Sequence, residues 1–123
     1  MAIVEREILL EDFEVMARIG IHDFERAGPQ RVLISVEIDL ATDGGEHEDE
    51  IDDVLDYDFL RAEIGKLVES RHFNLQETLC REIVALCRDR AGIEAVTVTT
   101  RKPDVYPDCR SVGYRLRYRR DPA

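Results

Sequence analysis

RHFNLQETLCREIVALC, residues 71–87, decides how the chain is read. Leu75, Leu79, Ile83 and Leu86 recur at helical spacing, with Cys80, Val84 and Cys87 beside them, so the stretch predicts an amphipathic helix. Glu77 falls in its first turn. One expectation is a helix start with Asn74 as N-cap, Glu77 closing a capping box and Phe73 as a hydrophobic staple. The other is a carboxylate at a helix N-terminus, aimed at a ligand that offers two adjacent N–H donors.

The flanking segments set the fold class. Upstream, VLDYDFLRAEIGKLVES predicts a second helix through Leu60, Ile64, Leu67 and Val68, with Asp56 or Asp58 as cap and Tyr57 at the boundary. Further upstream, Val32, Ile34, Val36, Ile38 and Leu40 alternate with Leu33, Ser35, Glu37 and Asp39, the period-two pattern of a half-buried strand. Before it, roughly Ile3 to Ile21 reads as a long, interrupted strand in which Phe13, Val15, Ala17 and Ile19 alternate with polar neighbours. Gly20 allows a bend, and Gly20 to Gln30 reads as a polar loop that holds Glu25. Two adjacent runs of this kind predict an antiparallel pair.

Downstream, Val96, Val98 and Thr100 alternate with Ala95, Thr97 and Thr99. Pro103 closes that strand and holds Lys102 extended at its end. The last strand carries Val112, Tyr114, Leu116 and Tyr118 on one face and Arg115, Arg117 and Arg119 on the other. The order β-β-α-α-β-β predicts an α+β layer: a four-stranded antiparallel sheet with both helices on one face. The sheet edges need covering, and self-association is the simplest cover.

Length and composition narrow the function. The 123 residues suggest one domain, residues 1–123. A net charge of −10 repels phosphate backbones and anionic membranes, so no nucleic acid or membrane partner is expected. No segment has the apolar length of a membrane span, and the start MAIVEREILLED is too acidic for a signal peptide. The three cysteines, Cys80, Cys87 and Cys109, lack C-x-x-C spacing; this predicts reduced thiols in a cytoplasm and no zinc site. His22, His47 and His72 show no H-x-H spacing either, so no metal is expected. The acidic run Glu46 to Asp53 lacks the pattern of a calcium loop and reads as a solvated connection. Of the 17 basic residues only Lys66 and Lys102 are lysine. A lysine in an arginine chain can mark a place where the base must release a proton.

Four fragments in register, GIHDFE, VLDYDFL, FNLQETLCREI and TTRKPDVYPDCRSVG, resemble the dihydroneopterin aldolase family over nearly the whole chain. The resemblance implies the tunnelling fold, in which subunit sheets join into an oligomeric barrel. It implies a homo-octamer of two tetrameric rings with active sites between subunits. Residue by residue, Glu77 matches the carboxylate that anchors the pterin, and Gln76 the neighbour whose backbone helps hold it, at a position where leucine is more usual. Lys102 matches the catalytic lysine, Tyr57 the tyrosine from the adjoining subunit, and Glu25 the acid near the substrate side chain and the lysine. His22 is expected to pack first and touch ligand second. The implied activity is a retro-aldol cleavage of 7,8-dihydroneopterin in folate biosynthesis, with or without 2′-epimerase activity and without cofactor. A dihydroneopterin triphosphate 2′-epimerase and a non-catalytic pterin-binding oligomer are the alternatives.

Overall fold

The computed structural model describes residues 4–41 and 56–121. The acidic run Glu46 to Asp53 lies outside them. The elements are β1 (Glu7–Ala17), α1 (Asp23–Arg26), β2 (Gln30–Leu40), α2 (Asp58–Ser70), α3 (Gln76–Arg88), β3 (Ile93–Lys102) and β4 (Val112–Arg119). The four strands form one antiparallel sheet in the order β1-β2-β3-β4. The two long helices connect the central strands β2 and β3. Helix α2 packs on β1, and α3 packs on β3 and β4.

Alternation explains the core. Val32, Ile34, Val36 and Ile38 of β2 are fully buried, and Val96 and Val98 of β3 lie beside them. Leu60, Ile64 and Val68 of α2 and Leu79, Cys80, Ile83, Val84 and Cys87 of α3 cover them. Each branched side chain so buried contributes about 1.5–3 kcal/mol relative to exposure.

The interrupted first strand has a specific cause. Leu10 pairs with Val36 but Phe13 pairs with Ile34, so β1 carries one extra residue there. Asp12 sits at the bulge with φ 52°, and its amide donates to Ser35 Oγ at 3.0 Å. The extra residue resets the parity of the strand. Ile8 and Leu10 before the bulge, and Phe13 and Val15 after it, therefore all pack on the same core. The strand also ends earlier than its alternation predicts, at Ala17; Ile19 instead forms an isolated parallel bridge with Phe73.

Two capping expectations are corrected. The N-cap of α3 is Leu75 in an extended conformation with no side-chain cap. Asn74 Oδ1 instead accepts from Arg26 Nη2 at 2.9 Å. Phe73 is no staple: it is fully buried, and its backbone bonds Arg18 O and Gly20 N, both at 2.8 Å. At α2 the cap residue is Tyr57, while Asp56 Oδ1 accepts the Asp58 amide at 2.9 Å.

The face of the sheet away from the helices is charged but internally matched. Arg115 reaches Thr99 Oγ1 at 3.0 Å, and Arg117 reaches Thr97 Oγ1 at 3.3 Å and Asp39 at 3.2 Å. Arg119 lies 3.7 Å from the same Asp39 carboxylate. The arginine face of β4 is thus engaged by hydroxyls and acids of its own sheet.

Candidate active site

The segment read as a polar loop contains one helical turn, α1, and that turn buries Glu25. His22 precedes it with φ −74° and ψ 151°, turning the chain so that the Glu25 side chain folds back over Gly20. Gly20 has φ +124°, and a Cβ built there would lie 2.2–2.4 Å from the Glu25 carboxylate atoms. Only glycine supplies both that backbone conformation and that space.

Glu25 meets Lys102 across the molecule. Lys102 Nζ is 2.7 Å from Glu25 Oε2, and the two side chains are 11% and 5% exposed. Lys102 can be there because it is the last residue of β3, two positions beyond Thr100 and on the same, helix-covered face. Gln30, the first residue of β2, donates from Nε2 to the same Oε2 at 2.9 Å. The His22 amide approaches Oε1 at 3.5 Å. Burial alone would push the Glu25 carboxyl up, but the hydrogen bonds from Lys102 and Gln30 and the lysine charge outweigh it. The carboxyl is held below its ordinary value.

That direction fixes a sign. A carboxyl depressed in the folded state stabilises the fold above its unfolded value, near 4.5, and the contribution is lost as pH falls through the lower folded value. Exposed Asp104, lowered by its hydrogen bond from Arg31, acts in the same direction. Denaturant melts between pH 6 and the acid transition are expected to show a shallower loss of stability in Glu25→Gln than in the unsubstituted chain. Parallel curves would contradict this assignment.

A second cluster forms the start of α3. Thr100 is fully buried, and its Oγ1 donates to Gln76 Oε1 at 2.8 Å. The hydroxyl has only one proton, so it accepts in its 3.5 Å contact with the Cys80 thiol, whose own single proton is shared between Thr100 Oγ1 and Tyr114 O at 3.8 Å. Gln76 therefore pins the first turn of α3 to β3 through its side chain. Glu77 follows it, half-buried, with no hydrogen bond or ion pair among the described residues.

The two clusters are tied together. The Ile19–Phe73 bridge, the Arg26–Asn74 hydrogen bond, and His72 Nε2 at 2.8 Å from Gly20 O fasten the α1 segment to the connection that leads into α3. Glu25, Lys102, Gln76 and Glu77 are so gathered at one end of the sheet. Tyr57 does not join them within the chain: it starts α2, is 62% exposed, and makes no hydrogen bond to any of the four. His22 is exposed and stacks on exposed Phe24 with ring centroids 5.6 Å apart. Among the described residues no cluster of His, Cys, Asp and Glu could hold a metal, and no helix is long and apolar enough to cross a membrane.

Sequence reasoning overlooked Gln30, Gly20 in its contact with Glu25, and Thr100. Gln30 follows Pro29 with no motif around it, and Thr100 reads as one more strand threonine. Their roles appear only when distant segments meet.

The chain as a whole is similar to known proteins. The family profile described as dihydroneopterin aldolase matches residues 8–117. A Streptomyces coelicolor dihydroneopterin aldolase is 28% identical over 97 residues, covering 79% of this chain and 82% of the relative. One from Haemophilus influenzae is 26% identical over 106 residues, covering 86% and 90%. A Burkholderia dihydroneopterin aldolase crystal structure with bound guanine superposes with a TM-score of 0.82 at 36% identity, covering 95% of this chain and 93% of that one. The Escherichia coli enzyme in complex with neopterin has the same fold, with a TM-score of 0.82 at 22% identity and coverage of 92% and 98%.

Proposed function

The chain belongs to the dihydroneopterin aldolase family, and from that premise we propose that it cleaves 7,8-dihydroneopterin between C1′ and C2′ with Lys102 and Glu25 handling the protons. It is an aldehyde-lyase of folate biosynthesis. The observation that carries the residue assignment is the buried contact of Lys102 Nζ with Glu25 Oε2 at 2.7 Å.

The chemistry suits these groups. The substrate 2′-hydroxyl loses a proton, C2′ becomes a carbonyl, and the C1′–C2′ electrons move into C1′=C6 while N5 gains a proton. Glycolaldehyde leaves. C1′ is then protonated and N5 gives up its proton, leaving 6-hydroxymethyl-7,8-dihydropterin. The N5=C6 imine is the electron sink, so the reaction requires neither a lysine Schiff base nor a metal. Lys102, held by Glu25, accepts the 2′-hydroxyl proton in its neutral amine form, directly or through an intervening water, and the ammonium so formed delivers a proton to N5; the same exchange then takes the N5 proton back and places one on C1′. Glu25 orients Lys102 and the substrate hydroxyls.

Glu77 accepts from the pterin N3–H and 2-amino group, two parallel donors on one carboxylate. The backbone of Gln76 assists, held by Thr100. Tyr57 acts on the site of an adjoining subunit; its exposure and its separation from the Glu25 cluster support a site shared between copies. The exposed edges of β1 and β4 support a homo-oligomer, which the family reading makes an octamer of two tetrameric rings. A cytoplasmic location belongs to the same reading and accords with the free thiols Cys80 and Cys87.

The test is a product assay with 7,8-dihydroneopterin in the presence of chelator, with the pterins separated by chromatography. The hydroxymethyl product with glycolaldehyde is expected. The 2′-epimer alone would indicate the epimerase, and an unchanged substrate that nonetheless binds tightly would indicate a binding protein. Glu77→Ala is expected to weaken pterin binding by about 10²- to 10⁴-fold, since two hydrogen bonds to a charged group are lost at roughly 1.5–3 kcal/mol each. Its melting temperature should move little, because Glu77 caps nothing. A fluorescence titration with unchanged affinity would remove Glu77 from pterin recognition.

A further inference from the structure

Gln30 stands at the start of β2, opposite Ala17, with its side chain turned toward the α1 segment. Its Nε2 has two neighbours, Ile19 O at 2.7 Å and Glu25 Oε2 at 2.9 Å. Both can only accept, so the amide has one orientation and both of its hydrogens are used. One of the two goes to the oxygen that also receives Lys102. The other ties the carboxylate to the backbone just before Gly20, whose missing Cβ leaves the carboxylate its space. The carboxylate is therefore gripped from β2, β3 and the α1 turn at once.

We propose that Gln30 is a positioning residue for the aldol step, holding the Glu25 carboxylate in the place and orientation from which Oε2 engages Lys102. The proposal rests on the aldolase reading above. Gln30 touches neither the reacting bond nor Lys102; it acts through Glu25. Without it, the carboxylate keeps only Lys102 as a side-chain partner among the described residues and can swing away from Gly20, taking the ammonium with it. The charged and titratable groups around Glu25 are few. Lys102 comes from β3, Asp23 and Arg26 share α1 with Glu25, His22 is the N-cap of that turn, and His72 precedes α3. Among the charged groups of the described residues only Lys102 reaches the carboxylate with its side chain; Arg26 is occupied by Ile21 O and Asn74, and His72 by Gly20 O.

The experiment compares Gln30→Met, which keeps the length and removes the donor, with Gln30→Glu, which keeps the shape and loses the donor when ionised. Both are assayed as full chains at a temperature where circular dichroism shows them folded. For Gln30→Met, kcat is expected to fall about 10- to 100-fold, the size of a small misplacement of a catalytic group. KM is expected to change little, because the ring is held elsewhere. The acid limb of the pH–rate profile is expected to move up by roughly one unit, the titration equivalent of one hydrogen bond to a charged group. Gln30→Glu should move it at least as far, because it sets a second carboxylate beside the first. A lower melting temperature with unmoved acid limbs in both variants would overturn the positioning role. A carbon-13 titration of the Glu25 carboxyl reads the same shift without turnover. An unsubstituted chain that leaves dihydroneopterin intact overturns the aldolase reading, whereas an active one whose carboxyl titrates identically with and without Gln30 overturns only this proposal.

Discussion

Lys102→Ala is expected to lower turnover by about 10²- to 10⁴-fold, the usual contribution of a positioned general acid–base group, while pterin affinity stays near that of the unsubstituted chain. In the proposed mechanism the ring is anchored at α3 and the proton is handled at the end of β3, so the two losses should separate. The variant also leaves the Glu25 carboxylate buried with Gln30 as its one remaining side-chain partner among the described residues. Removing one partner of a buried pair costs about 3–5 kcal/mol where nothing else compensates; the Gln30 hydrogen bond places the expected loss at the lower end. A fall in activity could then be mistaken for a fall in folded protein. The double variant Glu25→Gln/Lys102→Ala resolves this, because it removes the stranded charge. It should recover much of the melting temperature and none of the turnover. Single-turnover rates, melts and pterin titrations on the three proteins check the prediction. Turnover near normal in Lys102→Ala would exclude Lys102 from the mechanism.

Gly20→Ala carries the second large effect. Its φ of +124° is a conformation side chains rarely adopt, and the new methyl would lie 2.2–2.4 Å from the Glu25 carboxylate. The backbone penalty alone is about 1–3 kcal/mol. The methyl must also displace either the carboxylate or the segment that His72 and Phe73 hold through Gly20. Either movement separates Glu25 from Lys102, so activity per folded molecule should fall by at least about tenfold. Gly28→Ala is the control, because a Cβ there meets nothing within 4 Å. A Gly20→Ala protein with the kcat of the Gly28→Ala protein would mean that the carboxylate need not stay in place.

The fold was largely legible because alternation is a local signal. The period-two runs of β2, β3 and β4 and the helical stripes of α2 and α3 place their own apolar faces, and the structure buries those faces. The reading faltered where a single residue changes the geometry. The bulge at Asp12 inverts the parity of β1, and no local composition marks it. The expected cap at Asn74 failed for a related reason. Its side chain has a stronger partner in Arg26, which lies 48 positions away in the chain.

The candidate site divides the same way. Lys102 stood out as one of two lysines among many arginines, before a proline that closes a strand. Glu77 stood out as a carboxylate at a helix start. Glu25 did not stand out as buried, because GIHDFERAGPQ is polar and punctuated, and such segments are usually exposed. Its burial depends on a glycine that leaves room and on hydrogen bonds from Lys102 and Gln30.

By itself the sequence determined the α+β order, the apolar faces, the negative charge and the residue types available for proton transfer, since each depends on neighbours close along the chain. Only the tertiary structure decided that Glu25, Gln30 and Lys102 share one buried oxygen, and that Gln76 is pinned through Thr100. Those contacts join residues separated by up to 77 positions. Local propensity carries no information about which distant donor meets a buried carboxylate; packing of the sheet end against the α1 turn supplies it.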